Sequence, residues 1–333
     1  MARRDRTTGL PRPRARTDAK AHSRFSFSEQ SQLRLVWIAG GGVIALILAF
    51  LAWGWFDNNY RQPNKTILVV GEETFKLKYY TDRLLLAAQA SGGGNLTILE
   101  QTLLTNLEDE ALGEILARER GITVTDEEIT NEIASQLGVP VGGAGSSFDV
   151  LYRQRLRTVR MSDPHYRRYT EAQVFLNKLG DSFEAEIGNT GEMVTLRAVV
   201  SQTREAADSA LARVKAGENL GSVAQEVSAD QQSRQKDGLL EPEPTRLLPE
   251  AIRTAIEGKS AGDELFGPIE ISGGFWIFRM ETRDPAGVIS ETQKGQLVDI
   301  ARAEAIKAKR STVSIDQRMT TKDYEWANEH AGD

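Results

Sequence analysis

The hydropathy pattern begins with one long apolar run and then changes to amphipathic segments. Residues 35–56 are almost wholly apolar and contain no charged side chain. A helix rising about 1.5 Å per residue needs about 20 apolar residues to cross a hydrocarbon core of about 30 Å, so the run predicts one membrane-spanning helix. Trp37, Trp53 and Trp55 lie near its two ends, where amphipathic rings favour the membrane interface.

A cleaved signal peptide is the alternative interpretation of this run. The apolar region of a signal peptide is about 7 to 15 residues long and is followed by small residues at the cleavage site. The run here is longer, and the bulky Phe50 lies two residues before Ala52. The pattern therefore favours an uncleaved anchor.

The charges on either side of the run predict its orientation. Residues 1–34 contain an excess of arginine and lysine over acidic residues, whereas residues 57–65 contain only Asp57, Arg61 and Lys65 as charged residues. Because cytoplasmic flanks carry the excess of Lys and Arg, the N-terminus is predicted to be cytoplasmic and the rest extracytoplasmic. The tail is rich in Arg, Pro and Ser, which predicts disorder. Its charge could also contact nucleic acid or anionic lipid, but a topology signal is the simpler interpretation.

Beyond a polar linker at residues 57–65, apolar residues recur at helical spacing as far as residue 188. The sequence TVTDEE at residues 123–128 predicts a helix start with an N-cap and acids in the first turn. A Gly- and Ser-rich loop is predicted at residues 142–147. Residues 66–188 are therefore predicted to form a helical module with one short strand. Its predicted elements are a strand at 66–70, helices at 77–90 and 98–119, a helix that starts within 123–128 and ends at Gly138, and one or two helices at 148–187.

The pattern changes near Glu192 to strands and shorter helices, so residues 189–284 are predicted to form a compact α+β domain. A Ser-Gly-Gly turn at residues 272–274 suits a tight hairpin. Residues 285–333 are predicted to be C-terminal helices. The predicted elements from residue 193 onward are a strand at 193–200, helices at 205–215, 220–227 and 249–257, hairpin strands at 267–271 and 275–280, and helices at 291–309 and 323–330.

The composition excludes several chemical classes. The 333 residues include no cysteine, which excludes disulfides, thiolate nucleophiles and thiolate metal sites. The three histidines, His22, His165 and His330, are far apart in the sequence, so a His-rich metal centre or a Ser-His-Asp triad is disfavoured. The sequence therefore predicts neither a metal nor a cofactor.

Several segments together follow the layout of one known family. RAVVSQTREAADSALARVKAGENL at 197–220 matches a strand followed by a helix, VSAD at 227–230 brings an acid, DGL at 237–239 is a blurred Gly-Asp-Leu-Gly turn, and GFWI at 274–277 is a closing strand. Their order and spacing resemble the parvulin family of peptidyl-prolyl isomerases. Upstream, VGE at 70–72 and RERGITVTDEE at 118–128 resemble the helical chaperone module of SurA and PrsA type foldases. YEWA at 324–327 resembles the end of the C-terminal helix that packs on this module.

This resemblance implies an α+β fold class, with a single transmembrane helix, a SurA-N-like helical chaperone module and a parvulin-like α+β domain. It also implies a groove that binds X-Pro segments. An X-Pro bond crosses a barrier of about 18–20 kcal/mol because twisting destroys amide resonance, and catalysis requires an apolar, desolvating pocket but no nucleophile or cofactor. In the family, two histidines, a central Asp or Cys and an apolar Met/Phe pocket supply this environment.

The resemblance assigns the groove positions residue by residue. It places Ala198 and Trp276 where the family has histidines, and leaves Asp230 as the one familiar polar member. Asp230 can instead be a loop or helix-terminus acid, and Trp276 can be core or groove wall. Leu247, Ile252 and Ile256 are better interpreted as core than as pocket residues. The remaining positions by resemblance are Leu247 for the pocket Met, Ala251 for a pocket Phe, and Leu239 and Ile256 elsewhere in the groove.

Three functions fit this reading. The first is a membrane-anchored extracytoplasmic foldase that isomerises X-Pro bonds in newly exported, unfolded polypeptides, with a plasma-membrane location and a cytoplasmic N-terminus. The second is a catalytically inactive holdase that only binds unfolded chains. The third is a membrane-bound scaffold for other envelope proteins. In each case the expected contacts are polypeptide and, through the one span, the lipid bilayer, with no nucleic acid. Because both family histidines are replaced, the sequence leaves isomerase activity open.

Overall fold

The structure is a computed structural model, and it describes residues 29–92, 96–262 and 264–331. Most of the predicted cytoplasmic tail, residues 1–28, lies outside the described residues, so its predicted disorder stays a prediction. The chain divides into two compact units, residues 1–61 and residues 62–333.

In the first unit, helix α1 (Glu29–Phe56) contains the apolar run, and the chain continues as π-helix over Asp57–Arg61. The segment Gly40–Arg61 has 22 residues and a mean hydropathy of 1.6. Among the described residues it is the one helix long and apolar enough to cross a membrane, by length and composition. The indoles of Trp53 and Trp55 are exposed.

The second unit begins with a helical module in which the helix ends follow the capping residues. Thr125 and Glu128 form a reciprocal capping box at the start of α4, and Gly138 ends this helix in the left-handed conformation with φ 67°. Ser146 caps α5 by accepting from the Asp149 amide. The elements are β1 (Thr66–Val70), β2 (Glu73–Lys76), α2 (Leu77–Ala90), α3 (Leu96–Glu119), α4 (Asp126–Leu137), α5 (Ser147–Val159) and α6 (Asp163–Ile187).

The C-terminal segment completes the helical module. It contains α11 (Glu291–Arg310), β7 (Ile315–Gln317) and α12 (Thr321–Ala331). Strand β7 pairs antiparallel with β1, which gives a three-stranded sheet of order β2-β1-β7. Helix α12 packs on α2, and α11 packs on α6 and α3. The main core therefore combines residues from both ends of the unit: Leu68, Tyr80, Leu84, Leu107, Leu112, Ile133 and Tyr166 with Trp326 and Ala327.

A partly buried ion pair holds α12 in place. Both carboxylate oxygens of Asp323, whose side chain is 0% exposed, accept from the Lys65 ammonium at 2.7 and 2.6 Å. The same carboxylate accepts from the backbone amide and hydroxyl of Thr320 at 2.8 and 2.6 Å. The carboxylate thus accepts four hydrogen bonds, one at Oδ1 and three at Oδ2, and such bonding is the condition under which a buried charge is tolerated.

The α+β domain follows α6. It contains β3 (Thr190–Ser201), α7 (Arg204–Lys215), α8 (Leu220–Val227), α9 (Gln231–Arg234), β4 (Glu243–Pro244), α10 (Glu250–Ile256), β5 (Leu265–Ile271) and β6 (Gly274–Val288), with a 3-10 turn at Thr245–Leu247. The strands form an antiparallel sheet of order β4-β3-β6-β5.

Side chains that alternate along β3 build two apolar layers on opposite faces of this sheet. On one face, Val199 and Ile277 pack against α7 and α8 in a cluster with Ala207, Ala210 and Val223. On the other face lies a second layer, which we call the α10 face. It contains Val194, Leu196, Ala198, Phe278 and Met280 of the sheet with Ile252 and Ile256 of α10 and Phe266 of β5.

The helical module and the α+β domain meet at a small apolar cluster. Met193, Ile289 and Leu297 are buried there, and the half-buried Ile187 and Leu247 pack on them. Beside this cluster the ammonium of Lys294, itself only 7% exposed, donates to the Asn189 side chain at 2.6 Å.

The predicted α+β fold class is confirmed, and most helices agree with the sequence pattern within two residues. Strands β2, β4 and β7 were not predicted, and β6 extends to Val288, well beyond the predicted Met280. These short or peripheral strands exist because they pair with distant partners, which local periodicity does not encode. The predicted boundaries between domains stay predictions.

We expect Asp323→Ala to lower the free energy of unfolding by about 2–4 kcal/mol, because it leaves a partly buried ammonium and the Thr320 amide without their acceptor. Urea unfolding of the full chain in detergent would measure it. Asp299→Ala, which removes an exposed ion pair with Arg302, is the matched control and is expected to cost less than about 0.5 kcal/mol. Equal effects of the two substitutions would contradict the prediction.

The contribution of Asp323 depends on pH. Burial opposes its ionisation, but hydrogen bonds from Lys65 and Thr320 outweigh burial and lower the pKa of Asp323. A lowered carboxyl pKa stabilises the fold above the ordinary value of about 4, and this stability is lost as pH falls through the folded-state pKa. We therefore expect the stability difference between wild type and Asp323→Asn to be constant above about pH 5 and to narrow below about pH 4. A difference that widens in acid would be inconsistent with this sign.

Candidate functional site

A groove of about 260 Å³ opens beside β3 on the α10 face of the α+β domain. This volume is below the roughly 300–1,000 Å³ of pockets that enclose drug-sized ligands, so the groove suits one or two side chains of an extended chain. Its floor and walls are apolar, and its rim is polar. The apolar residues are Val194, Leu196, Leu239, Leu240 and Leu248, and the polar ones are Asp230, Gln232, Ser233, Lys236, Glu241 and Glu243.

The loop at residues 237–240 forms one wall because it lies directly against β3. The Ala198 amide donates to the Gly238 carbonyl at 2.8 Å, and the Leu240 amide donates to the Leu196 carbonyl at 2.9 Å. Gly238 has φ 73°, and a Cβ there would lie 2.5 Å from the Ala198 carbonyl oxygen. Glycine is therefore required for this close approach, which holds Leu239 at the groove.

Asp230 lies at the groove rim as the N-cap of α9. Its carboxylate accepts from the amides of Gln232 and Ser233 at 3.3 and 3.2 Å and from the Ser233 hydroxyl. The Ser233 hydroxyl is the main cause that lowers the pKa of Asp230, with the two amides adding to it and burial opposing it. Asp230 is therefore an anion at neutral pH, which cannot donate a proton to a substrate.

The other rim charges are partly neutralised. Lys236 and Glu241, which both line the groove, form an ion pair. Glu243 has no side-chain partner within the described part of the chain. His165 and His330, the two histidines among the described residues, lie in α6 and α12 and not in the groove. The groove thus offers apolar contact and negative charge, but no imidazole.

The structure brings together only some of the positions assigned from sequence. Asp230 and Leu239 line the groove. Ala198 and Ile256 are fully buried in the α10 face, and the half-buried Trp276 packs against the same layer. The interpretation of Ile256 as core therefore agrees with its burial.

Two other assigned positions lie apart from the groove lining. Leu247 packs into the cluster between the helical module and the α+β domain, and Ala251 is half-buried on α10 without lining the groove. Leu247 ends the 3-10 turn and packs against Met193, Ile289 and Leu297, and its assignment to the family's pocket position stays a prediction.

Two family models match consecutive parts of the chain. Residues 27–180 match the SurA-like N-terminal domain, and residues 194–282 match the PPIC-type PPIase domain. The second match spans β3 to β6 and includes the whole groove. The chain is a parvulin-type foldase of the SurA and PrsA kind.

Solved structures similar to this foldase include the PrsA peptidylprolyl isomerase from Bacillus anthracis, with 11% identity over 65% of this chain and 100% of that chain and a TM-score of 0.43. Foldase protein PrsA from Streptococcus pneumoniae is similar at 14% identity over 78% of this chain and 97% of that chain, with a TM-score of 0.33. NmPin, the parvuline of Nitrosopumilus maritimus, is 22% identical over 28% of this chain and 98% of its own, with a TM-score of 0.24. No curated protein matches the sequence.

A foldase of this family binds polypeptide substrates, so the groove in the PPIC-type domain is its candidate substrate site. Sequence reasoning missed most of the groove walls. Val194 and Leu196 were detectable, because period-two alternation puts them on the same face as Ala198. Leu240 and Leu248 carried no such signal, since loop residues reach the groove through hydrogen bonds and turns that have no periodic pattern.

We expect Asp230→Ala to destabilise the foldase by about 1 kcal/mol through loss of the α9 cap, and Asp230→Asn to cost less because its amide oxygen can still accept. Thermal unfolding monitored by circular dichroism would measure both. Asp208→Ala, an exposed acid on α7 with only a long contact to Arg204, serves as the control. If Asp230→Ala unfolds at the wild-type temperature, the capping role is wrong.

Proposed function

We propose that this foldase is anchored in the plasma membrane by α1, with residues 57–333 on the outer side. There it binds extended segments of unfolded, newly exported polypeptide in the groove beside Asp230. We further propose that it promotes cis/trans isomerisation of X-Pro bonds in that groove. The observation that carries the proposal is an apolar groove, open to solvent, within the residues that match the PPIC-type domain.

The proposed chemistry needs only contacts that this groove can supply. A proline ring against Leu196, Leu239 and Leu248 would leave water, and the adjoining amide would be desolvated with it. The twisted amide has lost its resonance and much of its dipole, so an apolar environment favours it over the planar ground state. Because no imidazole lines the groove, rate enhancement would come from desolvation and from binding the twisted form.

The anchoring part of the proposal is supported by two features of the sequence and structure. Segment Gly40–Arg61 buries none of its most apolar window inside the structure, and it has the length and hydropathy of a span. The Arg-rich residues 1–34 precede it, which favours a cytoplasmic N-terminus by the distribution of positive charge.

The test is an isomerase assay of the full chain in detergent with a short X-Pro peptide. We expect Leu239→Ser to reduce kcat/KM about tenfold, because it removes apolar contact of about 1–2 kcal/mol from the groove wall. The matched control is Val288→Ser, which removes an exposed side chain of the same domain outside the groove and should leave kcat/KM unchanged. Asp230→Asn removes the negative charge but keeps an oxygen that can cap α9, so it measures the effect of the charge alone on kcat/KM.

Suppression of aggregation of an unfolded client should be measured on the same samples. Parallel loss of isomerisation and aggregation suppression in Leu239→Ser would support one groove for both. A wild-type chain that suppresses aggregation but does not accelerate isomerisation would contradict the isomerase proposal and leave a holdase. Burial of Ala198 at a histidine position of the family is the observation that makes this second outcome worth measuring.

A further inference from the structure

Arg253 on α10 differs from the other buried or half-buried arginines in the described part of the chain, because its guanidinium has no acceptor there. The others each donate to a carboxylate or a carbonyl oxygen. Arg83 donates to Glu110, Arg197 to Glu281, and Arg283 to Glu192 and to the Ile256 carbonyl. A guanidinium that lines a cavity and has no protein acceptor can bind a carboxylate from outside the chain.

Arg253 lines a cavity of about 440 Å³ where the α+β domain meets α11, which we call the junction cavity. It is separate from the groove beside Asp230, since the two share no lining residue. Much of its wall is apolar and is formed by Ile187, Pro244, Ile289 and Leu297.

The other charged groups of the junction cavity already have partners. The carboxylate of Glu192 accepts from Arg283 at 2.8 Å, and Arg246 donates to Glu304. Arg253 is therefore the uncompensated charge of the lining. A guanidinium offers a planar fork of donors that matches a carboxylate with two parallel hydrogen bonds. Charge and wall together fit a ligand with a carboxylate next to an apolar group.

We infer that the junction cavity binds the C-terminal residue of a client polypeptide, with its free carboxylate on Arg253 and an apolar side chain against Ile187, Ile289 and Leu297. The inference rests on the proposed function in one respect, because its ligand is a polypeptide client.

A chain end suits the junction cavity better than an internal acidic residue. In a C-terminal residue, the carboxylate and the side chain are attached to the same Cα, so both reach the cavity together. An internal residue must bring in peptide groups on both sides, each needing hydrogen-bond partners. The lining supplies few uncharged polar side chains for them, namely Thr190 and Thr245, and the latter hydroxyl already donates to the Glu192 carbonyl at 3.3 Å.

The test uses the full chain in detergent and fluorescent, proline-free peptides ending in leucine, with binding followed by anisotropy. We expect the free-acid peptide to bind roughly tenfold to a hundredfold more tightly than the same peptide with an amidated C-terminus, as for loss of a hydrogen bond to a charged group. Arg253→Gln should lower the affinity for the free-acid peptide to that for the amidated peptide. Arg253→Lys should retain part of the affinity difference between the two peptides. Arg204 is an exposed arginine of the same domain, and Arg204→Gln should leave the affinities for both peptides unchanged.

Each other outcome has a defined meaning. Equal affinity of acid and amide for the wild-type chain would overturn the inference without any variant. An amidated peptide with an internal glutamate that binds as tightly as the free acid would overturn the chain-end assignment. A proline peptide blocked at both ends reports on the groove beside Asp230: if it fails to bind, the proposed function fails, while the acid-amide comparison still decides the junction cavity. Unchanged thermal unfolding of Arg253→Gln would show that the variant is folded.

Discussion

The pairing of the two ends of the compact unit is the interaction on which the remaining structure depends. Strand β1 finds its partner β7 near the C-terminus, and Lys65 binds the buried Asp323 of α12. The core of the helical module is complete only when these elements are in place, because Trp326 and Ala327 are part of it. The α+β domain is consequently held between α6 and α11, and its two connections leave side by side: Thr190 pairs with Val288, and the Ile289 amide donates to the Asn189 carbonyl at 2.9 Å.

The α+β domain keeps the sheet of a parvulin while its polar groups serve the fold. Ala198, which the resemblance assigns to a histidine position of the family, is buried, and its amide donates to the loop that carries Leu239. The carboxylate of Asp230 accepts from backbone amides in the first turn of α9. What remains available to a substrate is apolar surface and negative charge, which suits binding and desolvation better than proton transfer. Uncompensated positive charge lies in a different place, on Arg253 beside α11.

Local signals in the sequence were sufficient for elements that are stabilised locally. The capping box at Thr125 and Glu128 and the left-handed Gly138 bound α4 where the pattern predicted. Strand β7 could not be predicted, because three residues carry no measurable periodicity and their partner lies near the other end of the unit. Only part of the groove could be predicted, for the same reason. Alternation along β3 indicates which side chains share a face. The positions of Leu248 and Arg253 depend instead on how loops and α10 pack over that face.

The closure of the helical module by β7 and α12 also constrains when this protein can become active. If the N-terminus is anchored as proposed, α2 to α6 leave the membrane first, and the core is sealed only when β7 and α12 have followed. The α+β domain, which needs no residue from either end for its own sheet, can assemble in that interval. In a truncated or stalled chain the groove of the α+β domain would be folded while the core of the helical module stays open. Tyr80 and Leu84 of that core would then be exposed to quality-control proteases.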